Sequence, residues 1–378
     1  MGSFHQVVTS IRDRVEHFCK SNFTATVING PKLDAAFYQK HPLMFTCTHR
    51  GHIDYILVGH NLHLMGFKDM RFAAGDNLTK LPFIGPRFKS WGAFTVARDG
   101  GFERNYVKNL CNSVVSMLDK REPIVVFPEG GRSYSGAMLD LKIGILGAAI
   151  LAQAKDLSKD VFIVPMAVSY EGLPDLPFFE MLQKGKKLRK RDNNFFMRTL
   201  GSLLYFGADV FAYVPLIARA FVPLLSPLLR KRKHGIAYID YKTPVSVRSL
   251  VDIESHKNEN ARDEFSAHRE SMQILSEALR KEFCSLYRIL PSHILAYILR
   301  NGPVSIDEAV RAVPDVVELL KKNNRNISFV EKFDAQEIIS KGIELLKRNR
   351  IVSVKKDTIN ILKINIIRYY SASVEVGG

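Results

Sequence analysis

The sequence predicts an α/β fold, with a central mostly parallel or mixed sheet flanked by helices, on three observations. Four short apolar runs, at 43–46, 92–97, 124–127 and 161–168, have the length of strands and lack polar alternation, as strands covered on both faces do. Helical stretches such as 106–120 and the alanine- and leucine-rich 141–154 alternate with them, which places function at strand ends. Composition sets the bound: 378 residues, 46% hydrophobic and 24% charged, exclude a disordered, collagen-like or wholly membrane-embedded chain. At about 150 residues per domain, two or three domains are expected.

Residues 1–40 read as a helical lead-in, because Val7, Ile11, Val15 and Phe18 put an apolar stripe on one helix face. The start has no apolar core of signal-peptide length and carries charge from Arg12 onward, so secretion is not expected. Gln6 stands where a myristoylation start would want serine or threonine. Cys19, Cys47, Cys111 and Cys284 form no C-x-x-C pair, which fits reduced thiols in an intracellular protein rather than a disulfide or zinc framework.

The α/β domain is expected over 41–245, interrupted by an insert at 184–233. Lysine plus arginine exceed the acidic residues by 54 − 38 = +16, which calls for an anionic partner: nucleic acid, a lipid surface or a phosphorylated substrate. Six basic residues lie within the eight from Lys184 to Arg191, and four more run from Arg230 to Lys233. Between these clusters, thirty residues from 200 to 229 are charged only at Asp209 and Arg219, and Pro215, Pro223 and Pro227 break them. That falls short of the roughly twenty uninterrupted residues of a spanning helix. Docking on, or re-entering, an anionic membrane fits better, with a buried helical hairpin as the plainer alternative.

One more strand is expected at 235–240, followed by a mainly helical region over 246–378. A break at Asn301-Gly302-Pro303 opens a small module, winged-helix-like from 301, with helices near 306–321 and 334–348 and alternating apolar residues from Ile351 to Ile366.

Candidate chemistry sits at two strand ends. In Thr46-Cys47-Thr48-His49-Arg50-Gly51-His52-Ile53-Asp54-Tyr55, three readings compete: a metal site of His49, His52 and Asp54; histidines capping a helix from near Ile53; and His49 as a general base oriented by Asp54. The order H-x-x-H-x-D has no matching downstream histidine cluster, which disfavours metal. A neutral imidazole takes a proton at neutral pH, and a carboxylate beside it fixes the tautomer, so such a dyad deprotonates a hydroxyl. In Phe127-Pro128-Glu129-Gly130-Gly131-Arg132-Ser133, paired glycines admit close backbone approach and Arg132 offers a planar fork for phosphate. Arg98 supplies a second cation at the end of 92–97. Taken singly, either arginine reads as solvated or structurally paired.

In order and spacing, His49-x-x-x-x-Asp54, Gly92 to Arg98, Phe127 to Ser133 and Val164-Pro165 resemble the four motifs of the glycerolipid acyltransferases, over roughly residues 40–245. The His-Arg-x-x-x-Asp-Tyr and Glu-Gly-Gly-Arg-Ser forms resemble the glycerol-3-phosphate and dihydroxyacetone-phosphate branch, and Arg368-Tyr369-Tyr370-Ser371-Ala372-Ser373 is similar to the ending of the glycerol-3-phosphate enzymes. Gly51, Ala97 and Tyr134 stand where that branch often has serine, a basic residue and arginine.

The resemblance implies acyl transfer from acyl-CoA or acyl-carrier protein to glycerol-3-phosphate, with dihydroxyacetone phosphate or a lysophospholipid as alternative acceptors. His49 would be the base and Asp54 its orienter; Arg98 and Arg132 would hold phosphate, Glu129, Gly130 and Gly131 shape the acceptor site, and Pro165 the acyl side. No metal and no cofactor beyond the acyl co-substrate are implied, since acyl transfer from a thioester needs a base and oxyanion stabilisation. Backbone N–H groups near the helix start after residue 51 are candidates for the oxyanion. Anionic lipids are expected partners at the cytoplasmic face of a membrane, the bacterial inner membrane or an intracellular one, by peripheral or re-entrant attachment. A basic nucleic-acid-binding protein is the alternative of a different class, but the basic clusters flank an apolar segment rather than a recognition helix, and no nucleic acid is expected.

Overall fold

The computed structural model describes residues 16, 19–51, 53–75, 79, 85–90, 92–97, 104–173, 175–176 and 234–375. Its main sheet is built from β1 (Ala25–Asn29), β2 (Leu43–Cys47), β3 (Arg71–Gly75), β4 (Ala93–Val96), β5 (Ile124–Val126), β6 (Phe162–Tyr170), β7 (Ile236–Tyr241) and β8 (Val245–Ser246). The order is β1-β7-β6-β2-β5-β3-β4, with β8 also on β6. From β6 to β4 all pairings are parallel, β7 and β8 run antiparallel to β6, and β1 runs parallel to β7. The sheet is therefore mostly parallel and mixed at one end.

Residues 25–29 correct the reading of 1–40 as helical throughout. They pair in register with 236–241, more than two hundred residues later, so local sequence carries no sign of the partner that makes them a strand. The helical stripe at 7–18 falls almost wholly outside the described residues. So does the basic and apolar insert at 184–233. Among the described residues no helix is long and apolar enough to cross a membrane.

Helices cover both faces. Those of the α/β part are α1 (Ala35–Tyr38), α2 (Asp54–Leu64), α3 (Gly85–Ser90), α4 (Arg104–Asp119), α5 (Ile143–Lys155), α6 (Val247–Leu250), α7 (Glu264–Ala267) and α8 (Arg269–Leu286). Strand β2 is buried at every position; Met44 faces a core with α4, α5 and α8, while Leu43, Phe45 and Cys47 face the opposite core with α2.

From 291 the chain forms α9 (Pro291–Ile298), β9 (Val304–Ser305), α10 (Ile306–Lys322), α11 (Ala335–Arg348), the hairpin β10 (Val352–Lys355) and β11 (Thr358–Ile361), and α12 (Ile364–Ser371). The small sheet runs β10-β11-β9, so helix, strand, two helices and hairpin follow in winged-helix order, beginning ten residues before 301. Ser305 with Glu308 and Asp334 with Glu337 form capping boxes that start α10 and α11. Ile294, Leu295, Ile366, Ile367, Tyr369 and Tyr370 belong to the same buried core as Leu57 and Val164, so the module is packed into the α/β domain. The buried Arg288 also ties it to β7: its Nε donates to Asp240 Oδ2 at 3.0 Å and its main-chain N–H to Ser169 Oγ at 3.0 Å.

Candidate active site

Because β2 and β5 are neighbours and both end toward the same edge, the loops after Cys47 and Val126 meet. Strand β6 flanks β2 on its other side, so this edge lies where the chain crosses from one half of the sheet to the other, the usual place for a ligand. Thr48 still belongs to the sheet, its Oγ accepting from the Val168 N–H at 3.1 Å, and His49 is the first residue to leave it.

The four residues between His49 and Asp54 form a turn closed on the carboxylate. Asp54 Oδ2 accepts from the N–H of Arg50 at 2.6 Å, from the N–H of Gly51 at 2.8 Å and from His49 Nδ1 at 2.9 Å. Its Oδ1 accepts from the hydroxyl of Tyr170. Burial, and then Asp54 beside it, push the Tyr170 phenol well above its ordinary range, which keeps it a donor. The Asp54 side chain is 0% exposed and that of His49 18% exposed, so the dyad reaches solvent only through the imidazole. With Nδ1 bonded to carboxylate, the hydrogen bond assigns the proton of a neutral ring to Nδ1 and leaves Nε2 as the basic nitrogen. Phe127 stacks against the ring at 4.7 Å between centres.

Glu129 braces the two loops. Its Oε1 accepts from the His49 N–H at 2.9 Å and its Oε2 from the Leu139 N–H at 3.0 Å. Gly130 takes φ +65°, which a side chain would strain, and nothing lies within 4 Å of where a Cβ would stand on Gly131. That open side leaves room for a ligand to approach the backbone at Gly131.

Arg132 is more deeply set than a solvent-facing phosphate ligand. Its side chain is 1% exposed; Nη1 meets Asp175 Oδ2 at 3.1 Å and Nη2 donates to the Tyr134 hydroxyl at 3.2 Å. Pro165 lies apart from the loops, buried in β6 opposite Thr46, at the point where β6 exchanges β8 for β7 as its antiparallel neighbour. A residue without an N–H is tolerated in a central strand at such a gap. Arg98 and His52 lie outside the described residues. The N–H groups of Arg50 and Gly51, next to the expected oxyanion donors, are turned onto Asp54. Among the described residues no cluster of three or more metal-ligating side chains assembles.

Sequence reasoning missed Tyr170, Arg50 and Asp175. Tyr170 ends a long buried strand, where tyrosine reads as an ordinary strand residue. Arg50 could have been suspected from its place beside the base. Asp175 carries no local signal of its pairing with Arg132.

The α/β sheet edge thus carries a preformed His–Asp pair with a glycine pair beside it, an arrangement chemically able to take a proton from a hydroxyl. Residues 31–169 match the family model described as Acyltransferase. Similar curated proteins are glycerol-3-phosphate acyltransferases of Actinobacillus pleuropneumoniae serotype 3 (strain JL03), 22% identical over 354 residues, and of Glaesserella parasuis serovar 5 (strain SH0165), 22% identical over 343 residues. These alignments cover 92% and 89% of this chain but 40% and 39% of the relatives. A third, from Actinobacillus pleuropneumoniae serotype 5b (strain L20), is 28% identical over 181 residues, 48% of this chain and 22% of that protein. The chain thus spans about two fifths or less of the length of these relatives. A solved structure, the 1-acyl-sn-glycerophosphate (LPA) acyltransferase of Thermotoga maritima, is 14% identical, with 75% of this chain and 83% of that one aligned at a TM-score of 0.36.

Proposed function

We propose that this protein transfers a fatty acyl group from acyl-CoA or acyl-carrier protein to the hydroxyl of glycerol-3-phosphate, giving 1-acylglycerol-3-phosphate. The observation that carries the proposal is the 2.9 Å contact of His49 Nδ1 with a fully buried Asp54, which leaves Nε2 as the nitrogen not bonded to the carboxylate, on a ring that is 18% exposed. Nε2 takes the proton of the acceptor hydroxyl as its oxygen attacks the thioester carbonyl. The carbon–oxygen bond forms, the tetrahedral oxyanion collapses, the carbon–sulfur bond breaks, and the imidazolium returns its proton to the departing thiolate. Asp54 holds the ring in register and stabilises the imidazolium between the two transfers.

The acceptor's phosphate is assigned to Arg132, which would exchange Asp175 and Tyr134 for phosphate oxygens, and to Arg98. The charge clusters at 184–191 and 230–233, with the apolar stretch between them, are assigned to docking on anionic lipid at the cytoplasmic face of a membrane. The winged-helix order of 291–361 gives no comparable support to nucleic-acid binding. Helix α11 packs on α9, and a Cβ on Gly342 would stand 2.9 Å from the Pro291 carbonyl oxygen.

The test is release of free thiol from palmitoyl-CoA by the full chain in anionic vesicles. Release that depends on glycerol-3-phosphate and is lost in His49→Ala supports the proposal; release independent of acceptor, or retained in His49→Ala, refutes it.

A further inference from the structure

The guanidinium next to the catalytic base points away from the reaction. Arg50 gives its main-chain N–H to Asp54, yet its side chain turns inward and the residue is 2% exposed. There Nη1 donates to the Gly136 carbonyl at 2.7 Å, and the guanidinium lies 4.5 Å from the ring centre of Tyr287. Burial works against its charge, but Tyr287, Glu129, Tyr369 and Asp54 outweigh it and hold the group above its ordinary value. A buried guanidinium is costly unless carbonyls, rings and carboxylates meet it, and these come from four separate parts of the chain.

The carbonyl it grips marks where the second loop touches the end of the chain. Gly136 takes φ +86°, and a Cβ there would stand 1.9 Å from the Tyr369 carbonyl oxygen, so only glycine lets α12 pack this closely. The ring of Tyr370 lies 5.5 Å from that of His293, which lies 5.8 Å from Tyr287. Beyond α12, Arg325 Nη2 donates to the Ser373 carbonyl at 2.5 Å. Arg50 thus joins loop 49–54 to Tyr287 and to loop 127–136, whose Gly136 in turn closes on the segment 364–374.

Resting on the acyl-transfer reading above, we infer that Arg50 is a positioning residue, not an acceptor ligand, and that through it the segment from Arg368 to Val374 forms the rear wall of the catalytic centre. The dyad is aligned from behind by the C-terminal module, and the region 31–169 does not hold it alone.

The test uses the full chain with Arg50→Lys, which keeps the charge and loses the planar fork. Displacing a catalytic loop by about 1 Å costs on the order of 10- to 100-fold. The expected result is a fall of kcat by that factor, with KM for glycerol-3-phosphate and the preference for it over unphosphorylated glycerol within about threefold of wild type. A rise of about tenfold or more in KM with collapse of that preference would make Arg50 a phosphate ligand and overturn the inference. Hydrogen exchange read by mass spectrometry gives an answer that needs no activity. In Arg50→Lys, peptides over 48–57, 127–137 and 364–374 should lose protection together while β2 and β6 keep theirs. Loss confined to 48–57, or no loss, overturns the inference even if the wild type transfers no acyl group. Should Arg50→Lys not fold, Tyr287→Leu, which keeps the bond to Gly136 and removes the ring, should raise exchange in 48–57 and 364–374. Wild-type protection there overturns the inference equally.

Discussion

His49 and Arg132 sit on loops that leave neighbouring strands, yet they are held in opposite ways. The His49–Asp54 pair is preformed: Asp54 takes four hydrogen bonds, two of them from the backbone of its own turn, and only the imidazole, 18% exposed, reaches solvent. The cation is closed, with its fork taken by Asp175 and the Tyr134 hydroxyl and its side chain 1% exposed. On the proposed function, the base is held rigidly, whereas acceptor binding is left to an exchange of partners that the acceptor's phosphate would drive. A buried guanidinium with a carboxylate partner is also stable in the absence of ligand, and a solitary one is not.

The contrast can be broken most severely at the base. Asp54→Asn should lower kcat by about 10³- to 10⁴-fold with little change in acceptor KM, because the tautomer is no longer fixed. Steady-state kinetics checks this, and a loss below about tenfold would remove Asp54 from the mechanism. On the cation side, Asp175→Asn takes away the carboxylate 3.1 Å from Nη1 of the buried Arg132 and should cost about 3 kcal/mol in denaturant unfolding. Glycerol-3-phosphate should then raise the Tm of the variant more than that of wild type, since it supplies the missing negative charge. An equal rise in both would separate Asp175 from acceptor binding.

Tyr170→Phe sharpens the comparison more gently. It removes one donor to a charged oxygen and should reduce kcat about tenfold with KM and fold unchanged. The smallest effect is on stability. His293, buried between Tyr287 and Tyr370, accepts the Leu290 N–H at Nδ1, and burial followed by Arg50 and Arg325 lowers it from 6.5 to about 3. The unfolded chain therefore binds a proton below pH 6.5 that the folded one refuses until about pH 3, so stability is full above 6.5 and falls with pH across that window. Between pH 6.5 and 5.5 the loss is about 1 kcal/mol, and His293→Asn, which keeps the acceptor and cannot titrate, should abolish it in urea titrations.

What could be read from the chain follows the range of the interactions involved. Strands β2, β5 and β6 are buried on both faces and announce themselves as apolar runs, and the two loops follow from the strands that launch them. Strand β1 (Ala-Thr-Val-Ile-Asn) and strand β3 (Arg-Phe-Ala-Ala-Gly) are short and only partly buried, and their pairings lie far along the chain, so no local pattern marks them. At the site, His49 and Asp54 are five residues apart and legible as a unit. Tyr170 lies 116 residues beyond Asp54, and Asp175 lies 43 beyond Arg132. Only the sheet order brings these groups together. The accessibility of Arg132, the role of Glu129 as a brace, and the turn of Arg50 toward the C-terminal module are tertiary facts of the same kind.

On the proposed function, His49 drives acyl transfer to a phosphorylated glycerol. The most direct measurement is mass spectrometry of the lipid products after the full chain in anionic vesicles meets palmitoyl-CoA with glycerol-3-phosphate, dihydroxyacetone phosphate or lysophosphatidate in parallel, with palmitoyl-acyl-carrier protein as second donor and His49→Ala as control. The expected product is 1-acylglycerol-3-phosphate from the first acceptor, absent in the control. No acylated product from any acceptor with either donor, or the same product from His49→Ala, would contradict it.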